Sequence, residues 1–405
     1  MSKFFTRERF GHPQVFAGIL LLMFLAQCVW LASDQYQSHD FQQISRVSRG
    51  LQLWGKSGVF LKASTEGDSQ QLGQATSFPR VDEKDHSALW FLTASAPFVF
   101  CRNANLSNCV VSHLWLASVP NLVFALLLGA SLWYVARRLY GNIGGYIALT
   151  FYCFSPKIIM SSAMWLAQPE MGAAWGAFGA IFTAIAVSHT LYAPREVVLW
   201  NWRRILLLGL SFTLAVGSQY SLIVLVPIAL FFMFYLAPVR KQAALTIWLC
   251  ACVVACVLLF AAYGFHSTQF FHAIHKADFL GLIWQAFTVV NAYTALFRHL
   301  LELGPAVLAI LPVVLIVYVL WRRARYFGNT APLLVAVFLL ILSLGSPHYP
   351  GFGFGLMAVP FLFVFISGVI ADLLETSNRK IVLAAISTAL IAGAIWNVWQ
   401  LAHPV

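Results

Sequence analysis

Long apolar runs alternate along this chain with short polar connections. The runs are too long and too uniformly apolar to be the stripes of a water-soluble fold. Apolar segments at about 14–32, 113–136, 142–158, 171–191, 204–219, 220–237, 243–263, 304–321, 331–346, 354–374 and 380–398 predict eleven helical spans. A hydrocarbon core of about 30 Å needs roughly 20 residues of helix, so 142–158 and 204–219 are short for the task. Two polar intervals interrupt the pattern. The first, Ser33 to Ser112, holds one semi-apolar piece, Leu89 to Phe100, too short to span and expected at the interface. The second, Gly264 to Leu303, contains amphipathic pieces such as Phe279 to Leu296 that suit a membrane surface. The predicted fold class is all-α, a polytopic transmembrane helical bundle of about 11 spans. It is read as N-in/C-out, with a long first extracytoplasmic loop containing short interfacial helices. The organisation reads as a transmembrane core over 1–263 with its extracytoplasmic loop 33–112, an extracytoplasmic amphipathic segment over 264–303, and C-terminal transmembrane helices over 304–405.

Composition agrees. Of 405 residues, 60% are hydrophobic and 10% charged, against about 25% charged in soluble chains, and the mean hydropathy is +0.78. The net charge of +11 would point to nucleic acid in a soluble protein. Here the cations fall in alternate short loops: Arg137 and Arg138, Arg240 and Lys241, Arg322, Arg323 and Arg325, Arg379 and Lys380. That is the positive-inside pattern, and it places these loops in the cytoplasm. No nucleic acid partner is expected. The N-terminal apolar run from about Val15 to Ala32 is long enough to span and has no clear small-residue cleavage site after it, so it reads as a retained signal-anchor helix. Cys28, Cys153, Cys250, Cys252 and Cys256 sit in apolar runs as small core residues; Cys101 and Cys109 flank a polar segment, where a disulfide and two unrelated thiols are both open.

Carboxylates are scarce, fourteen in all, so those near spans carry most interest. Asp34 and Asp40 follow the first span. At a membrane surface either could serve as a general base or a cation ligand, and either could equally be a helix cap. Asp85 and His86 close a charged cluster whose spacing matches no zinc motif. Glu170 follows Gln168-Pro169 at the start of the fourth span, where a helix dipole favours an anion. Pro347-His348-Tyr349-Pro350 precedes Gly351, Gly353 and Gly355 between two late spans; such irregular backbone survives at membrane depth only inside protein or beside a cavity. There is no phosphate-binding Gly-x-x-x-x-Gly-Lys loop, no His-Glu-x-x-His and no Gly-x-Ser-x-Gly. Charge inside the spans is nearly absent, which weighs against an ion-coupled transporter.

Several local motifs together resemble the GT-C superfamily of polytopic glycosyltransferases, the class of protein mannosyltransferases and aminoarabinose transferases. Asp40, in His39-Asp40-Phe41, leads through Ile44 and Val47 to Gly50, as in the stretch after the family's first span. Asp85-His86 is followed by Leu89, as in the family's Asp-His-Pro-Pro-Leu, but without its prolines. Ala136-Arg137-Arg138-Leu139-Tyr140-Gly141 matches the family's run unchanged, and Ser155-Pro156 follows as expected. The chain departs elsewhere. Ser162-Ala163-Met164 lacks the usual Arg, Gln168 stands where an acid is usual, and Gln219 replaces the Lys of the Leu-Thr-Lys-Tyr stretch. Pro347-His348-Tyr349 is similar to a late outer loop of some bacterial members.

The resemblance implies an inverting transfer of a sugar from a polyprenyl-phosphate-linked donor to an extracytoplasmic glycan, lipid or protein acceptor. It implies Asp40 as catalytic base, with Asp34 and Glu170 as further catalytic carboxylates. Substrate contacts would come from Asp85, His86, Arg46, Arg49, Lys157, Gln168, His348 and Tyr349, the cations serving the leaving phosphate. Some members use a divalent cation; no ligand set in this sequence specifies one. Membrane lipid is the other expected partner, and the style of the loops suits a bacterial inner membrane with the active face outside. The substituted motif positions keep two alternatives open: a non-catalytic subunit or lipid-carrier binder of the same architecture, and a transporter or flippase of a lipid-linked substrate.

Overall fold

The computed structural model of the protein describes residues 13–34, 41–55, 86–101, 109–110, 112–163, 170–192, 202–277, 279, 287–301, 303–345, 353–376 and 379–402. The described residues form helices and turns, with no strand among them. In chain order the α-helices are α1 (Pro13–Asp34), α2 (Phe41–Leu53), α3 (Ala88–Ser95), α4 (Val119–Cys153), α5 (Pro156–Ala163), α6 (Glu170–Thr190), α7 (Trp202–Ser218) and α8 (Leu225–Leu236). They continue as α9 (Lys241–Ala262), α10 (Ser267–Lys276), α11 (Val290–Leu301), α12 (Pro305–Leu320), α13 (Phe327–Gly345), α14 (Gly353–Leu374) and α15 (Arg379–Ala402).

Each of the eleven apolar segments coincides with a helical stretch, but the lengths differ from expectation. Seven helical stretches are long and apolar enough to cross a bilayer; Ala88–Phe100, Tyr220–Leu236 and Pro305–Leu320 are apolar but shorter. Segments 113–136 and 142–158 fall largely within α4, which is two helices that turn back on each other at Gly141: Tyr152 donates to Ala125 O at 2.6 Å, and its ring lies against Gly129. Gly141 has φ 76° and ψ −175°, a region essentially closed to residues with a Cβ. The Leu-Tyr-Gly motif therefore marks the tight turn between the two predicted segments. The protein is an all-α polytopic integral membrane protein. Apolar helices such as α9 and α15 leave most of their residues uncovered by protein, which only a lipid solvent tolerates.

The chain divides into two compact units, one of Met1–Asp34, Phe124–Met164 and Leu282–Val405, the other of Gln35–Val123 and Trp165–Gly281. At the heart of the first lies α14, buried all round. Gly368 of α14 abuts the Asn329 amide and the Tyr140 ring, so any side chain there would collide with both. Tyr140 donates to Gly328 O at 2.6 Å, and Asn329 donates to Ala324 O and to Asp372 Oδ2, both at 2.9 Å. Two amides also meet within apolar helices: Asn397 of α15 donates to Gln27 of α1 at 2.6 Å, and Gln27 donates to Cys153 O at 3.1 Å. Burying a polar group is costly unless it is hydrogen-bonded, and these pairings offset that cost.

The second unit is built on α6, α7, α8 and α9. Its core is Ala180, Ala184, Phe212, Met233 and Ala251 with their neighbours. Small residues bring the helices close: Gly176 of α6 faces the Ala215 backbone of α7. The semi-apolar piece expected at the interface is α3 with its 3-10 continuation, Ala96–Phe100, and it packs inside this unit, with Ala88, Phe91 and Phe98 buried. Cys101, just beyond it, is disulfide-bonded to Cys109.

Candidate functional site

Four of the candidate residues lie on described elements of the second unit. Arg46 and Arg49 are on α2, His86 directly precedes α3, and Glu170 is the first residue of α6. α2 packs on α3 because Gly50 allows it: a Cβ there would overlap the Phe91 carbonyl and the Ser95 side chain. The indole of Trp54 donates to Leu92 O at 3.1 Å and ties the far end. Arg46 lies one turn before Gly50, so it shares the face turned to the protein. Its Nη1 is buried and has no hydrogen-bond partner among the described residues. A guanidinium nitrogen in that state is a standing demand for an acceptor, and an anion meets it best. Arg49 is exposed and does not share that face.

His86 is buried, with Nδ1 2.7 Å from the Ser218 carbonyl oxygen. A carbonyl only accepts, so Nδ1 carries the hydrogen and Nε2 is the nitrogen left for other groups. Ser87 gives both its N–H (3.1 Å) and its hydroxyl (2.7 Å) to Gly217 O. Gly217 and Ser218 end α7, and their carbonyls would otherwise be orphans of the helix terminus. The same hydroxyl accepts from Leu89 N at 3.2 Å and caps α3. Next along the chain, Gln219 is extended (φ −150°, ψ 114°) and fully buried. It donates to the Ser221 hydroxyl at 2.8 Å, and its Oε1 has no partner among the described residues.

Behind this corner, Tyr263 accepts from Ala88 N at 3.3 Å and shares a 2.7 Å hydrogen bond with Tyr220. Burial pushes the Tyr263 phenol above its ordinary range. Tyr263 joins Ala88, Phe91 and Ala273 in a small apolar cluster that fixes α3. Neither tyrosine was a sequence candidate. Their only signal is a phenol at the edge of an apolar run, which is too common to single out.

Glu170, at the N-terminus of α6, is almost fully buried, and it is not without a partner. In the first unit, Lys157 falls in the predicted segment 142–158. It sits on α5 instead, buried and partnered, because Ser155-Pro156 starts a new helix there. Asp34 ends α1. Asp40, Asp85, Gln168, His348 and Tyr349 lie outside the described residues. Among the described residues, no three His, Cys, Asp or Glu side chains gather in a way that would hold a metal ion.

No family model matches the chain, and no curated protein matches it. Among solved structures it is similar to an oligosaccharyltransferase from Archaeoglobus fulgidus, solved with zinc and sulfate. That match has TM-score 0.46 and 13% identity, and covers 78% of this chain and 44% of that one. It is also similar to the archaeal oligosaccharyltransferase AglB from the same organism, in complex with an inhibitory peptide and a dolichol-phosphate. Here the TM-score is 0.44 and the identity 11%, covering 89% of this chain and 55% of that one. The chain thus spans about half the length of these structures. A likeness this distant assigns neither an active residue nor a substrate.

Proposed function

We propose that the protein is a membrane glycosyltransferase that moves a sugar from a polyprenyl-phosphate carrier to an acceptor hydroxyl on the extracytoplasmic side. The observation that carries this reading is that the second unit holds both a half-buried Arg46, whose buried Nη1 has no hydrogen-bond partner among the described residues, and a buried carboxylate, Glu170. The motif resemblance puts Asp40 in the same stretch of chain, immediately before α2. In the reaction, a carboxylate takes the proton from the acceptor hydroxyl as its oxygen attacks the anomeric carbon. The bond from that carbon to the phosphate oxygen breaks, and the phosphate keeps the electron pair. Asp40 is the base. Arg46 meets the charge that grows on the leaving phosphate, where a donor in a dry site acts most strongly.

The test is reconstitution in liposomes with a panel of polyprenyl-phosphate sugars, following loss of sugar from the carrier by mass spectrometry. Turnover of at least one donor is expected. Asp40→Asn should abolish it while the purified variant keeps its thermal transition. Arg46→Gln should lower turnover by about 10²-fold or more, the usual loss for one donor to a developing charge. A second reading, a carrier-binding protein without transferase activity, is favoured by Gln219, the amide that stands in the place of the family's Lys. Binding of carrier with no turnover of any donor would establish that reading instead.

A further inference from the structure

The end of α9 carries an element that sugar transfer does not use. α9 has 22 residues, about 33 Å of helix, so it fills the hydrocarbon core and its Ala262 end reaches the boundary. Its uncovered face is the apolar row Leu245, Leu249, Val253 and Val257, spaced by four and suited to lipid. The helix then stops in a tight turn. Phe265 N donates to Phe260 O at 3.3 Å and Gly264 N to Ala261 O at 2.9 Å, the paired bonds of a Schellman end. Gly264 takes the required positive φ, 58°.

The next residue breaks the usual rule. Phe265 also has positive φ, 59°, and no other non-glycine described residue does. A bulky side chain adopts that conformation reluctantly. Its ring rests edge-on against Phe260 (5.4 Å between centroids), yet the residue is 63% exposed. In water this would combine an unfavourable backbone with an unfavourable side chain. On α10, Phe270 and Ala273 pack against Tyr263, Ala88 and Phe91, while Phe271 is 65% exposed. Around these rings, Gly264 to Ala277 contains three histidines (His266, His272 and His275), Lys276 and no carboxylate. His266, His275 and Lys276 are exposed.

We infer that the corner from Gly264 to Lys276 is a membrane anchor. Phe265 and Phe271 sit in the boundary between headgroups and acyl chains of a phospholipid leaflet, and the exposed basic groups face the headgroup phosphates. The corner continues the lipid-facing row of α9, and that continuity makes lipid the occupant. Exposed phenyl rings gain from this boundary, and the exposed His266, His275 and Lys276 complement phosphate. The anchor holds whether or not the chain transfers sugar. It also fixes α3, which packs on α10 and Tyr263, at a constant depth.

The test places 4-trifluoromethylphenylalanine at position 265 or 271 of the full chain in phospholipid nanodiscs and reads fluorine NMR. Two gadolinium chelates are compared, one tethered to a lipid headgroup and one dissolved in the water. The headgroup chelate should broaden both labels several-fold more than the soluble chelate at matched concentration. A label at Val253, mid-helix on the same face, should respond weakly to both. Soluble chelate broadening the 265 and 271 labels as it broadens the free amino acid would put the rings in water and overturn the anchor. Response to neither chelate would place them against protein and overturn it equally.

Discussion

Tyr263 holds the corner that presents His86, and removing its hydroxyl has a cost that can be worked out. In Tyr263→Phe, Ala88 N–H loses an acceptor at 3.3 Å and the Tyr220 hydroxyl loses a partner at 2.7 Å. Ala88 is wholly buried and Tyr220 nearly so, so water does not step in. Each buried group left unmet costs about 1–3 kcal/mol; the long Ala88 bond belongs at the low end, giving about 2–4 kcal/mol in all. Tyr220→Phe removes one bond and leaves Tyr263 still accepting from Ala88, for about 1–2 kcal/mol. In the double variant neither hydroxyl is stranded and only Ala88 N–H is left unmet, so its loss falls short of the sum by about 2 kcal/mol or more, well beyond the roughly 0.3–0.5 kcal/mol scatter of independent sites. Equilibrium unfolding in detergent of the wild type, both single variants and the double variant measures this coupling. Strict additivity, or no loss in Tyr263→Phe, would show that the tyrosine pair does not fix α3.

The same phenol predicts the alkaline limb of stability. Its folded-state pKa is raised by burial above the ordinary 10.0, so stability is full below about pH 10 and declines above it, as the unfolded chain ionises and the folded one does not; Tyr263→Phe should make that decline shallower in pH-dependent melting. Gly141→Ala should cost about 1–3 kcal/mol, because alanine must enter φ 76°, ψ −175°; a loss of transition temperature is expected, and an unchanged one would mean the break can relax. Cys101 and Cys109 should resist a membrane-impermeant maleimide in intact cells until a reductant is added, and then label, if their loop faces outward; labelling that requires permeabilised cells would reverse the proposed topology.

The helices were legible because hydropathy integrates over a whole run, and a lone error such as Arg203 or Pro332 does not hide a span. The division at Arg137 to Gly141 was legible as well, since a positively charged pair followed by glycine is how a turn begins, and the chain does reverse there. The burial of Leu89 to Phe100 was missed because an apolar run of that length fits an interface and a core equally well; only its partners Gly50, Tyr263 and Ala273 decide. At the site, Glu170 could be read from a carboxylate after proline at a helix start. The buried Nη1 of Arg46 could not, because its sequence neighbourhood is that of an ordinary amphipathic helix. Gln27 and Asn397, single amides in apolar runs, were a signal left unused; they meet each other.

The corner around His86 separates residues that build the site from those that act in it. α7 ends at Ser218 and the next helical turn begins at Tyr220, so Gln219 interrupts two apolar helices. Such a gap persists among apolar surroundings only if its backbone groups are met from within the protein. They are: Gln219 N–H goes to Ala215 O, Ser87 takes Gly217 O twice, and His86 takes Ser218 O. His86 and Ser87 therefore cap the broken helix, and the Asp-His motif has a structural use before any chemical one. A lost activity in His86→Ala would say little about phosphate binding, since it would also strand the Ser218 carbonyl. Arg46 differs, because its buried nitrogen satisfies no described group of the fold. That makes Arg46, rather than His86, the residue whose substitution separates a site for an anionic substrate from a merely folded corner.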